Sequence, residues 1–217
     1  MSVRLRVTLV FAGALVAIAL IAAYLVGYLA QSPPEVQGVS GANAQLTLQT
    51  VAAISSGDRP DWVSYLVKDP SGQWVHSTTW KVPANSVIKV TIYQFDTASK
   101  LRNPFWAQPQ GIVPGSFKVD GTTVDSIKAE TASHTFAIPE LGVSVPLQGI
   151  PDGAKNPCSS APCDVSSDHA TITFSFRTGA SGKYRWQCFV PCGAGYIYGN
   201  GGPMSTIGFM GGFVEVG

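Results

Sequence analysis

Charge and histidine are both scarce in this chain. Of its 217 residues only 12% are Asp, Glu, Lys or Arg, and the formal net charge is +1. The one basic grouping is Arg4 with Arg6, whereas a protein that follows a phosphate backbone needs a concentrated positive face. Nucleic acid is therefore excluded as a partner. Histidine occurs three times, at His76, His134 and His169, and methionine three times including Met1. That is too few for the His-rich or Met-rich tracts of a metal store. A Ser or Cys nucleophile with His and Asp at recognisable spacing is also missing, so the chain is not expected to be an enzyme by itself. After the N-terminal segment there is no amphipathic run long enough for a sizeable helix.

What is present begins at the N-terminus. Val7 to Ala30 runs 24 residues without a charge, and about 20 apolar residues in helix span a bilayer core. A cleaved signal peptide has a shorter apolar region followed by a small-x-small site. Here Ala17-Ile18-Ala19 lies inside the run and Tyr28-Leu29-Ala30 fits such a site poorly, so a retained anchor is expected. Arg4 and Arg6 ahead of the span place the N-terminus in the cytoplasm by the positive-inside rule. The expected organisation is a cytoplasmic 1–6, an anchor 7–30, a Pro/Gly/Ser tether 31–44 and an extracytoplasmic domain 45–217, periplasmic or extracellular.

That domain reads as all-β. The chain holds 23 Gly and 15 Pro, and short runs of alternating apolar residues are separated by turn residues. The clearest are Leu46–Val51, Val87–Tyr93, Thr171–Phe176 and Gly212–Val216, and period-two alternation in β-branched and aromatic residues marks half-buried strands. Leu101–Gly121 and Ile150–Asp168 look like insertions. The second carries Cys158 and Cys163 in a Ser/Pro loop, which in an oxidising compartment most simply close a local disulfide. Only Asp164 and His169 stand near them as further ligands, too few for a metal knuckle.

The remaining cysteines lie in Gln187-Cys188-Phe189-Val190-Pro191-Cys192-Gly193-Ala194-Gly195, a C-x-x-x-C-G-x-G run. Two thiols four residues apart on a tight loop can bridge two copper ions, grip one soft metal, or close into a disulfide. Gly193–Gly212 holds eight glycines in twenty residues, which marks tight turns or the close approach of a partner. His76, beside Trp74 and Trp80 in an expected strand, reads as an ordinary core or surface histidine. His169, at a strand entrance, reads as solvated. Tyr196 and Tyr198 read as caps of the glycine-rich loop.

Three segments resemble the cupredoxins, and among them the copper domain of cytochrome c oxidase subunit II. Trp74–Tyr93 is similar to the early strands. Ser133-His134-Thr135-Phe136-Ala137-Ile138-Pro139-Glu140-Leu141-Gly142-Val143 is similar to the first ligand segment, and Gly182–Gly193 to the strand and loop of the second. The resemblance implies a Greek-key β-sandwich after one transmembrane helix, where most such subunits have two. It implies a copper site with His134, Cys188, Cys192 and Met210, or Met204, as metal ligands. The family loop is C-x3-C-x3-H-x2-M. Counting without a gap puts Tyr196 and Gly199 in the last two ligand slots, and aligning on Met210 puts Ile207 in the histidine slot. The second imidazole is missing either way, so a normal binuclear centre is not expected. The loop is expected to hold a Cys188–Cys192 disulfide or a single metal with His134. Two functional readings follow: an accessory or docking subunit of a membrane redox complex with a degenerate copper site, in contact with the membrane and other subunits, or a copper-binding electron-transfer protein.

Overall fold

The computed structural model describes residues 2–29, 44–52, 62–76, 79–193, 202–204 and 206–217, and two compact units, one at each side of Pro33, are taken in turn. The first is the helix α1, Val3–Tyr24, continued by a π turn at Leu25–Leu29. It starts ahead of the charge-free run because Ser2 caps it, the Ser2 hydroxyl accepting from the Leu5 N–H at 3.3 Å. Arg4 and Arg6 therefore sit in its first turns, and Ala30 and the tether through residue 43 lie outside the described residues. The stretch Val3–Gly27 has a mean hydropathy of 2.7 and is long and apolar enough to cross a membrane.

The second unit is a two-layer β-sandwich. In chain order its strands are β1 (Gln45–Val51), β2 (Ser64–Lys68), β3 (Trp74–Val75), β4 (Thr79–Val82), β5 (Val87–Gln94) and β6 (Phe117–Val119). They continue as β7 (Thr122–Val124), β8 (Ala132–Ile138), β9 (Val143–Gln148), β10 (Ala170–Arg177), β11 (Gly182–Gln187) and β12 (Gly211–Val216). One sheet has the order β3-β2-β1-β5-β10-β6-β7 and the other β4-β12-β11-β8-β9. The chain crosses between the layers at β3–β4, β4–β5, β7–β8, β9–β10 and β10–β11, the repeated crossing of a Greek-key sandwich. The four strands read from alternation appear within a residue or two of their expected ends. The reason is visible in β5 and β10, where one side chain in two is buried in the core and its neighbours are more exposed.

Aromatic packing ties the layers together. Across the layers Tyr65 of β2 meets Trp186 of β11 edge-on at 5.3 Å and Phe136 of β8 meets Phe174 of β10 at 5.2 Å, while Trp186 stacks on Trp80 of β4 within its own sheet at 4.2 Å. The His134 segment forms a hairpin. β8 ends at a single 3-10 turn, Pro139–Leu141, and Gly142 at φ 66° closes it before β9, a left-handed position that glycine occupies without steric cost. Alternation along β8 then puts His134 on the face that carries Phe136 and Ile138, between the sheets, and all seven residues of the strand are buried.

Candidate metal centre

The centre forms at one end of the sandwich, where residues far apart in sequence meet. β11 delivers Cys188 and the loop that follows it, β8 delivers His134, β5 ends just before Asp96, and the run into β12 brings Met204. His134, Cys188 and Cys192 are all buried, and their donor atoms lie within 4.8 Å of one another. The Cys188 Sγ is 3.9 Å from His134 Nδ1 and 3.3 Å from Cys192 Sγ, and Cys192 Sγ is 3.1 Å from Met204 Sδ. Both thiols are free. The disulfide open to this loop from its sequence is thus not formed in the structure, although the sulfurs are in contact.

The loop is held by bonds that the motif does not announce. The Cys188 N–H donates to the Met210 carbonyl at 2.8 Å, the Cys192 N–H to the Val190 carbonyl at 2.7 Å, and the Phe189 N–H to Thr135 Oγ1 at 2.7 Å. The Thr135 N–H points at Cys188 Sγ at 3.5 Å. Gln187 acts as a clamp, its amide nitrogen donating to the carbonyls of Met204 and Met210 at 3.0 and 3.2 Å. Gly193 turns the chain at φ 106°, and a Cβ there would stand 2.5 Å from Pro203 Cγ. Only glycine fits that crossing. Asp96, Thr135 and Gln187 carry no signal in the sequence beyond lying at strand ends or beside ligand residues. Of the two methionines, Met204 brings its sulfur to Cys192, while Met210 contributes its carbonyl to the Cys188 N–H and Gln187.

Burial opposes charge at the centre, and hydrogen bonding overrides it. His134 is pushed down by burial, but its bonds to Asp96 and Cys188 raise it from 6.5 to about 9. Cys188 is pushed up by burial, yet the hydrogen bonds from Cys192 and His134 hold it well below the ordinary thiol value. Cys192 is the converse. Its hydrogen bond to Cys188, then burial, then the adjacent thiolate charge push it far up, so of the two sulfurs it keeps the proton. Tyr65, whose hydroxyl donates to the Thr135 carbonyl at 3.0 Å, is raised by burial and then by the two cysteines.

The other sequence candidates stand apart from this cluster. Cys158 and Cys163 form the disulfide, with Cα atoms 5.5 Å apart. His76 follows β3 instead of lying inside a strand, and its ring meets Phe209 edge-on at 4.8 Å. His169 is not simply solvated. It is half-buried, pairs through Nδ1 with the Ser167 carbonyl at 2.8 Å, and packs on Tyr93 and Phe95 at 5.7 and 5.2 Å. Tyr196 and Tyr198 lie outside the described residues.

The donors suit one soft ion. Two donors at about 2.0–2.3 Å from a single metal are at most about 4.6 Å apart. The 3.3 Å separation of Cys188 from Cys192 and the 3.9 Å separation of Cys188 from His134 satisfy this. Thiolate, thioether and imidazole together favour copper, whereas zinc sites draw on thiolate, imidazole and carboxylate.

No family model and no curated protein matches the chain. Among solved structures it is similar to rusticyanin from Thiobacillus ferrooxidans, a copper protein, at 15% identity over 89% of this chain and 92% of that one, with a TM-score of 0.32. It is also similar to a chain of a heme-copper terminal oxidase dimer, at 13% identity over 99% and 98% of the two chains and a TM-score of 0.30. Auracyanin B is a third, at 17% identity over 86% and 98%, with a TM-score of 0.26. Identities and scores this low bring none of those proteins' properties to this chain.

Proposed function

We propose that the protein is a membrane-anchored, extracytoplasmic one-copper protein that serves as an electron-transfer or accessory subunit of a membrane redox complex. In this reading it is a degenerate relative of the oxidase subunit II copper domain. The observation that carries the proposal is the convergence of buried His134, Cys188 and Cys192 on one point, with Met204 Sδ 3.1 Å from Cys192. Bound copper would supply a one-electron couple there. The chain's own residues do the rest. Cys188 is already biased to the thiolate a metal needs, and His134 presents Nδ1 to the sulfurs. The Gln187 clamp and the Thr135 bonds fix the loop so that the ligands need not rearrange. A second copper would require a second imidazole, and the rings of His76 and His169 are engaged elsewhere.

Two further features support the subunit reading. Phe105 and Phe189 are 55% and 43% exposed, and Trp106 stacks on Phe189 at 5.8 Å, leaving an apolar patch of the kind that marks a protein interface. The N-terminal helix supports the anchor, and Arg4 and Arg6 support a cytoplasmic N-terminus with 31–217 outside.

Full-length reduced protein in detergent, titrated with copper, is expected to take one ion per chain and give a spin-resonance signal split by a single copper nucleus. No binding, or one electron shared equally by two coppers, overturns the site. Protease added to spheroplasts is expected to remove a C-terminal epitope, and its protection would overturn the orientation.

A further inference from the structure

We infer that Asp96 is a positioning residue that accepts a hydrogen bond from His134 Nε2–H and so fixes Nδ1 as the ring nitrogen facing the two sulfurs, the Nε2–H tautomer once the ring is neutral. The inference builds on the proposed copper site, but its first observable does not need the metal.

The geometry is that of a histidine held from behind. His134 is fully buried between the sheets, and its Nε2 lies 3.1 Å from Asp96 Oδ2 while Nδ1 lies 3.9 Å from Cys188 Sγ. The Asp96 carboxylate can only accept at that contact, so a neutral imidazole must donate through Nε2. A buried ring nitrogen without such a partner would cost about 1–3 kcal/mol, and the opposite neutral tautomer would leave the carboxylate facing a lone pair. Metal-bound histidines commonly donate their second nitrogen to a carboxylate or carbonyl, which fixes ring orientation and raises basicity.

Asp96 is itself anchored. Its Oδ1 accepts from the Thr97 N–H at 2.8 Å, its N–H donates to Gln94 Oε1 at 3.2 Å, and its carbonyl accepts from Gln94 Nε2 at 2.9 Å and the Ile150 N–H at 3.0 Å. One carboxylate oxygen is thus spent on holding the group still and the other on the imidazole. The contact joins the end of β5 in one sheet to β8 in the other, so the sandwich sets the angle of the ligand. The side chain of Asp96 is 22% exposed while that of His134 is fully buried, so the enclosed imidazole is held by a group that itself borders solvent.

The test uses the full chain in detergent with nitrogen-labelled histidine. In metal-free protein at alkaline pH, where the imidazole is neutral, the ring-nitrogen resonances of His134 are expected to show the Nε2–H form. Asp96→Ala is expected to mix the tautomers and lower copper(I) affinity about 10–100-fold. Asp96→Asn keeps an oxygen acceptor at the same place and is expected to restore the tautomer and most of the affinity, a rescue that loss of packing alone would not give. If Asp96→Ala does not fold, the Asn variant and the wild-type resonances decide. A wild-type Nδ1–H form, or an Asp96→Ala variant with unchanged tautomer and affinity, overturns the inference. Wild-type protein in the Nε2–H form that takes no copper overturns the metal reading and leaves the role of Asp96 standing.

Discussion

Two cysteine pairs at almost the same spacing meet opposite fates in this molecule. Cys158 and Cys163 are bonded, Cys158 half-buried and Cys163 buried in an apolar cluster with Val51, Leu66 and Phe95. Cys188 and Cys192 are in sulfur–sulfur contact at 3.3 Å and remain thiols. Spacing does not separate the two pairs; surroundings do. The first has no imidazole within the cluster, because His169 faces Tyr93, Phe95 and the Ser167 carbonyl. The second has His134 on one side of Cys188 and Met204 beside Cys192. It also has hydrogen bonds that hold Cys188, Phe189 and Cys192 to Met210, Thr135 and Val190. A thiol pair here is a staple where no imidazole or thioether stands at the sulfurs, and stays reduced where both do.

The sharpest way to break this comparison is to exchange what each pair does. Cys188→Ser is expected to abolish stoichiometric copper binding, read as metal per chain after dialysis, since it removes the thiolate that meets both His134 and Cys192. Replacing Cys158 and Cys163 together by Ala is expected to leave copper binding unchanged and to lower unfolding free energy by about 2–3 kcal/mol, the upper range for closing so short a loop. Denaturant titration measures it. Copper loss in the double variant, with Cys188→Ser still loaded, would reverse the assignment of the two pairs.

A smaller effect sharpens the contrast between the two sulfurs of the centre. In metal-free reduced protein, Cys192 has a folded pKa far above its ordinary value of 9.0. A group raised on folding stabilises fully below its unfolded pKa and loses that contribution as pH rises. Stability is therefore expected to decline above pH 9.0 by up to about 1.4 kcal/mol per pH unit. Cys188, shifted the other way, contributes in full above that pH and loses its share as pH falls through its lowered value. Thermal melts against pH of wild type and Cys192→Ser check this, the variant losing the decline that sets in above pH 9.0 and keeping the one that Tyr65 adds above 10.0. An equally steep decline in the variant would remove Cys192 as its source.

Much of the scaffold was legible from the chain. β5, β10 and β12 announce themselves by alternation because each buries one face and exposes the other more, while β1 alternates in sequence although both its faces are buried from Leu48 onward. β8 does not alternate, since both its faces are covered, and it was found only through the His134 segment that resembles a ligand strand. The two-residue β3 and the three-residue β6 and β7 are too short for any period to show, and their existence depends on the longer strands they pair with. His169 read as solvated because its neighbours in sequence, Ser166, Ser167 and Asp168, are polar, while its neighbours in space are aromatic.

What the sequence determined by itself is therefore local. It set the apolar N-terminal helix, the half-buried strands, the proline-rich insertions and the two short-range cysteine pairs, because each depends on residues a few positions apart. The Cys158–Cys163 bond was expected from the sequence, and only the tertiary structure decided that Cys188 and Cys192 would stay thiols and that Met204 would bring its sulfur to Cys192. It also decided that Asp96 would stand behind His134, 38 residues away, and that Cys188 would stand in front of it, 54 residues away. Those meetings come from stacking one sheet on the other and from the Gln187 clamp on the loop between β11 and β12. No pattern along a strand records which end of the neighbouring sheet its side chains will face.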